Sequence, residues 1–176
     1  MQPLMVGSGE QNQRSISKMK IIGIDPGDTH TAIAELADGR INQCVYMPNA
    51  QALEALDFYY NPGIAECEFV CEMIASYGMP VGRTIFETCV FIGQIRQVIP
   101  SLKFITRISV KSAICHSAKA KDGNIRQALI DAYGPAGTKK APGPTYGISG
   151  DMWAALAVAT AYARGAKLYE FGKAQS

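Results

Sequence analysis

The sequence predicts a mixed α/β domain, a five-stranded sheet packed by helices, and two observations carry that prediction. Three β-rich runs follow one another closely near residue 20, too close for intervening helices. Two further short apolar runs then alternate with segments of helical periodicity.

Lys20–Asp25, KIIGID, reads as a buried strand. Thr29–Ala37 and Arg40–Tyr46 are rich in β-branched and apolar residues and flank Asp38-Gly39, a dipeptide suited to a tight hairpin turn. Three antiparallel strands are the simplest reading. Asn49–Phe58 has helical character with Asn49 as its cap, and Ala65–Glu72 is a fourth strand with acids at alternate positions of EFVCE. The Gly- and Pro-bearing segment Ser76–Gly82 leads into a helix over Arg83–Val98, stopped by Pro100. Lys103–Arg107 is a fifth strand, and Val110–Cys115 and Asn124–Tyr133 are helices, the second closed by Gly134. Gly134–Gly150 is a long loop with Lys139 and Lys140 at its middle; loops of that length are usually functional or disordered. The apolar stretch Asp151–Ala163 is the last helix.

Composition narrows the class. A chain of 176 residues suits one domain, and residues 1–18, polar and without periodicity, read as a disordered arm or tag remnant ahead of an ordered domain at 19–176. A net charge of +2 excludes a uniformly basic nucleic-acid glove, so a binding surface must come from local segregation of charge. Five cysteines, Cys44, Cys67, Cys71, Cys89 and Cys115, form no CxxC pair and mostly sit in apolar runs, as core residues of a reducing compartment do. The longest uncharged apolar run, Met152–Ala163, is too short to span a bilayer, so a cytoplasmic protein without membrane contact is expected.

Three acids occupy positions that buried structure alone does not require. Asp25 ends the first strand and Pro26-Gly27 turns the chain there. Glu72 ends the fourth strand, and Asp151 opens the last helix. If the first and fourth strands are neighbours and the last helix crosses them, the three carboxylates converge. Such a cluster is unfavourable unless cations neutralise it. Hard oxygen donors suit Mg²⁺, with Mn²⁺ as a substitute, and two such ions can activate water and stabilise the leaving oxygen of a phosphodiester.

The segments GIDPGDTHTAIA, VCEM and GDMWAALAVATAYA resemble the RNase H-like superfamily and, within it, the RuvC-type Holliday-junction resolvases. VKSAICHSAKAKDGNIRQAL is similar without gaps to the RuvC segment that runs from a valine-lysine pair into a basic residue opening a helix. SYGMPVGRTIFET resembles phage- and prophage-borne members. The resemblance spans roughly residues 20–164. It implies an RNase H-like fold with helices on both sheet faces, Mg²⁺-dependent cleavage of branched DNA, a homodimer, and Asp25, Glu72 and Asp151 as metal ligands and catalytic residues. Two positions depart from the pattern. The second ligand of the last helix falls on Ala154, so a neighbour such as Glu68 or His116 is a candidate replacement. The basic residue opening the helix falls on Asp122, so Lys121 is assigned its catalytic role.

Positive charge gathers at Lys103, Arg107, Lys111, Lys119, Lys121 and Arg126. Lys111, Lys119, Lys121 and Arg126 are the expected phosphate contacts, and Tyr77 an expected platform for a base opened at a branch point. The helix Arg83–Val98 carries Ile85, Phe86, Val90 and Phe91 on more than one face, which fits a dimer contact, and Trp153 is expected in the core. Rival readings are a junction-binding protein without cleavage, an RNA-directed nuclease of the same superfamily, and an actin-like ATPase, for which the chain is too short.

Overall fold

The structure is a computed structural model that describes residues 19–60, 66–75, 78 and 80–172. The expected arm at 1–18, and Tyr77 with it, lie outside the described residues.

Strands β1 (Lys20–Pro26), β2 (His30–Ala37) and β3 (Arg40–Pro48) form the antiparallel meander the sequence predicts. Asp38 and Gly39 turn between β2 and β3 with φ of 51° and 72°, the left-handed pair that such a hairpin needs. Helix α1 (Asn49–Tyr60) leads to β4 (Cys67–Met73), α2 (Arg83–Val98) to β5 (Lys103–Thr106), and α3 (Arg107–Cys115) and α4 (Asp122–Tyr133) follow. The loop after Gly134 is not irregular throughout: β6 (Gly137–Thr138) and β7 (Ala141–Pro142) pair as a small exposed hairpin with Lys139 and Lys140 at its tip. Helix α5 (Met152–Ala163) closes the fold.

The main sheet has the order β3-β2-β1-β4-β5, with β4 parallel to β1 and β5 parallel to β4. Helices cover both faces. On one, α3, α4 and α5 pack over Ala32, Ala34, Val70 and Ile105. On the other, α1 and α2 pack over Ile22, Ile24, Phe69 and Phe104. Alternation along each strand separates the two sets, so each sheet face has its own core.

Helix α5 is buried from Ala155 to Ala161, which explains why it reads as apolar all round. Its contact with β1 is unusually close because β1 has glycine there: a Cβ on Gly23 would stand 2.4 Å from the Ala155 carbonyl oxygen and 2.6 Å from the Ala159 nitrogen. That approach aims the start of α5 at the end of β1. Full burial of Leu156 and Val158 adds about 1.5–3 kcal/mol each to the hold on the helix.

Four expectations need correction. Asn49 does not cap α1 with its side chain. Its amide accepts from Thr31 Oγ1 at 2.8 Å and donates to the carbonyls of Gly27 and Asp28 at 3.2 and 3.1 Å, tying down the turn behind Asp25. The fifth strand stops at Thr106, whose hydroxyl accepts from the Ser109 amide, so Arg107 opens a helix instead of ending a strand. Phe91 belongs to the core, while Phe86 and Val90 are the exposed apolar residues of α2. The cysteines form no disulfide among the described residues, and Cys89 is exposed, unlike the core residues the sequence leads one to expect.

Candidate active site

Asp25 stands at the carboxyl end of β1, where Gly27 N–H bonds back to the His30 carbonyl at 2.9 Å and turns the chain. Its neighbour Ile24 faces the α1/α2 core, so alternation turns Asp25 to the α5 side. Ile24 is level with Cys71 on parallel β4, and Glu72 follows at the same sheet end. Asp151 precedes the first turn of α5. Its carboxylate makes no capping hydrogen bond to its own helix, so it remains available to the cluster.

Asp25 lies within electrostatic reach of both other acids. Burial, then the negative charges of Glu72 and Asp151, raise the Asp25 carboxyl from 3.8 to about 7, against the opposing charge of Arg107 and with a further push from Asp122. Burial also raises Glu72, while Arg107 and Lys111 pull it back. Burial is the larger cause for both carboxyls, and the neighbouring negative charges add to it.

The cation inside this cluster is Arg107. Its Nη1 donates to Glu72 Oε2 at 3.3 Å and its Nη2 to Asp122 Oδ1 at 2.6 Å. Position 122, where the RuvC pattern has a base, is therefore an acid clamped by an arginine that enters from the start of α3. Lys121, expected in the catalytic role, is exposed at the N-terminal boundary of α4, and the base bonded to Glu72 is Arg107 instead. Arg107 was legible only as one member of a basic run. The signal that would have singled it out is register: Glu72 pairs with Ile105, two residues before it.

Neither candidate for the missing ligand at Ala154 is in place. Glu68 lies four positions back along β4, about 13 Å away at ~3.3 Å per residue, and binds Lys103 and Tyr162. His116 sits past the far end of α3, where it lines a groove of about 680 Å³ with Arg164 and Lys167. Ala154 itself is half-buried in the first turn of α5.

The basic run divides into two groups. Lys103 and Arg107 are engaged with acids, and Arg126 lies over the half-buried Trp153 ring at 5.1 Å. Lys119 and Lys121 are exposed, and Lys111 is close enough to Glu72 to stabilise its charge.

Could the cluster hold a divalent cation? Its donors are hard carboxylate oxygens, and the negative charges of Glu72 and Asp151 add to the raised Asp25 carboxyl, so the chemistry of the donor set fits Mg²⁺. Among the described residues no three His, Cys, Asp or Glu side chains stand together closely enough to hold an ion as they are, and Arg107 engages Glu72. The arrangement is that of an arginine-paired site. Also among the described residues, no helix is long and apolar enough to cross a membrane.

No protein-family model and no curated protein matches this chain. Solved structures do. The structure of Thermus thermophilus RuvC is 19% identical, with 86% of this chain and 100% of that chain covered and a TM-score of 0.57. T. thermophilus RuvC in complex with Holliday junction substrate is 18% identical, with 86% and 99% covered and a TM-score of 0.64. At such identity the likeness is one of fold, and it agrees with the strand order and helix placement above: the chain has the RNase H-like, mixed five-stranded α/β fold of RuvC.

Proposed function

We propose that this protein is a metal-dependent endonuclease that cuts branched DNA, four-way junctions in particular, and acts as a homodimer of the phage-borne RuvC type. The observation that carries the reading is the position of Asp25 and Glu72 at the same end of adjacent parallel strands in a RuvC-like sheet, with Asp151 at the start of α5 and its charge acting on Asp25.

Asp25, Glu72 and Asp151 would hold Mg²⁺, or Mn²⁺ in its place, which when bound supplies a Lewis acid and a more acidic water for phosphodiester hydrolysis. The chain's own residues do the rest. Asp25, half-protonated near neutrality without a cation, becomes a full anion once positive charge is delivered to it. Arg107, released from Glu72, is placed to meet a phosphate oxygen, and its planar fork suits that geometry. Lys111, Lys119, Lys121 and Arg126 supply a positive rim that holds the backbone against the acids. Phe86 and Val90, 63% and 64% exposed on α2, offer the apolar contact for a second copy.

Two observations favour a second reading, a junction-binding protein that does not cut: Ala154 lacks a carboxylate and Arg107 neutralises Glu72. Nicking of a synthetic four-way junction by wild type and Asp25→Asn in Mg²⁺ separates the two readings.

A further inference from the structure

Asp25, Ala32 and Tyr46 form one cross-strand row, Asp25 pairing with Ala32 on β2 and Ala32 with Tyr46 on β3. Side chains in such a row share a sheet face, so Tyr46 lies on the Asp25 side, about 10 Å away at ~4.8 Å per strand. Its ring is not solitary. Tyr46 stacks on His30 with ring centroids 5.2 Å apart and planes 15° from parallel, and Tyr46 remains 51% exposed.

Both rings rest on a fixed base. His30 opens β2, and its Nδ1 is 3.1 Å from Thr29 Oγ1. The preceding turn is held by the Asn49 side chain and by the Asn49 amide, which donates to the Thr29 carbonyl at 3.0 Å. An exposed aromatic pair held this way loses little freedom when a third ring stacks on it. Hairpin stability alone would be served by a cross-strand pair of any β-branched or aromatic residues. The pair's position relative to Asp25 is what points to a ligand. At a stacked rise of about 3.4 Å, 10 Å corresponds to about three nucleotides along a strand.

We infer that His30 and Tyr46 form a stacking platform for a nucleobase of the strand whose backbone passes Asp25, about three nucleotides from the cut. The inference rests on the nuclease reading for its substrate. It assigns Tyr46 and His30 to strand positioning and gives them no part in the chemistry. Stacking is tolerant of base identity, so the platform fixes the path of the strand without reading its sequence.

The test is photocrosslinking in EDTA, so that nothing is cut, with a four-way junction carrying 5-iodouracil at successive positions around the branch point. A crosslink to Tyr46 or His30 at one or two adjacent positions is expected. Tyr46→Ala and Tyr46→Leu should each weaken junction binding roughly 5- to 150-fold, and Tyr46→Phe should restore it. Crosslinks confined to other residues, or Tyr46→Leu binding as tightly as wild type, would overturn the platform. Nicking in Mg²⁺ is scored separately. A crosslink at Tyr46 without nicking upholds the platform and removes the nuclease reading, whereas nicking without that crosslink removes the platform alone. Failure of the wild type to bind the junction at all overturns both.

Discussion

Replacing Asp25 by asparagine should make the metal-free protein more stable. The fold raises this carboxyl from 3.8 to about 7, chiefly by burying it and then by setting Glu72 and Asp151 beside it. At ~1.4 kcal/mol per pH unit, a rise from 3.8 to about 7 means that ionising Asp25 costs the folded state about 4 kcal/mol. Between those two values the folded protein binds a proton that the unfolded chain has released. Stability in EDTA is therefore greatest at acid pH as far as Asp25 is concerned, falls as pH rises through 4 to 7, and levels off near pH 8. Asparagine keeps the shape and removes the charge. Allowing for relaxation of the site, Asp25→Asn should gain about 2–4 kcal/mol over wild type at pH 8 and almost nothing at pH 4. For a domain of this size that corresponds to a Tm higher by about 5–15 °C at pH 8. Thermal unfolding of both proteins in EDTA from pH 4 to 8 measures it, and saturating Mg²⁺ should narrow the gap by stabilising the wild type. Equal stability at pH 8 would show that neither burial nor the neighbouring acids penalise an ionised Asp25.

Gly23→Ala should destabilise the fold by about 1–3 kcal/mol or more, because its Cβ would meet α5 backbone at 2.4 Å; urea unfolding midpoints check this, and an unchanged midpoint would mean that α5 does not rest on β1. Ala154→Asp should lower the Mg²⁺ concentration giving half-maximal nicking, because Glu68 and His116 are engaged or placed elsewhere; an unchanged or weaker magnesium dependence would show that position 154 does not face the ion. Neutralising Lys111, Lys119 and Lys121 together should reduce the slope of log binding constant against log salt by up to about 2.7, at ~0.9 per phosphate contact, and an unchanged slope would move the DNA surface elsewhere.

Much of the fold was legible because local pattern and tertiary role coincide. KIIGID is strand-like by composition and lies at the sheet centre; Asp38-Gly39 has the chemistry its turn demands; and α2 runs from Arg83 to Val98 as its periodicity and Pro100 predict. The candidate site was legible to the extent that strand ends are. Asp25 and Glu72 could be placed together once the first and fourth strands were assumed to be neighbours. What stayed hidden depends on contacts between distant segments. Asn49 has a capping residue's chemistry, yet the β1–β2 turn competes successfully for its amide. Arg107 and Asp122 are 15 residues apart and belong to different helices, so their bridge across Glu72 has no periodic signature. The His30–Tyr46 pair depends on the register of β2 with β3, which a one-residue slip would abolish.

The most direct test of the central claim, that Asp25, Glu72 and Asp151 form a cation-dependent cleavage site, is nicking of a synthetic four-way junction by wild type and Asp25→Asn, with junction binding measured alongside in EDTA. The account predicts Mg²⁺-dependent nicking by wild type, no nicking by Asp25→Asn, and junction binding by the variant at least as tight as wild type, since a charge that repels phosphate has been removed. Retained nicking by pure Asp25→Asn would contradict the assignment of the site, and tight binding without any nicking by the wild type would contradict the enzymatic reading itself.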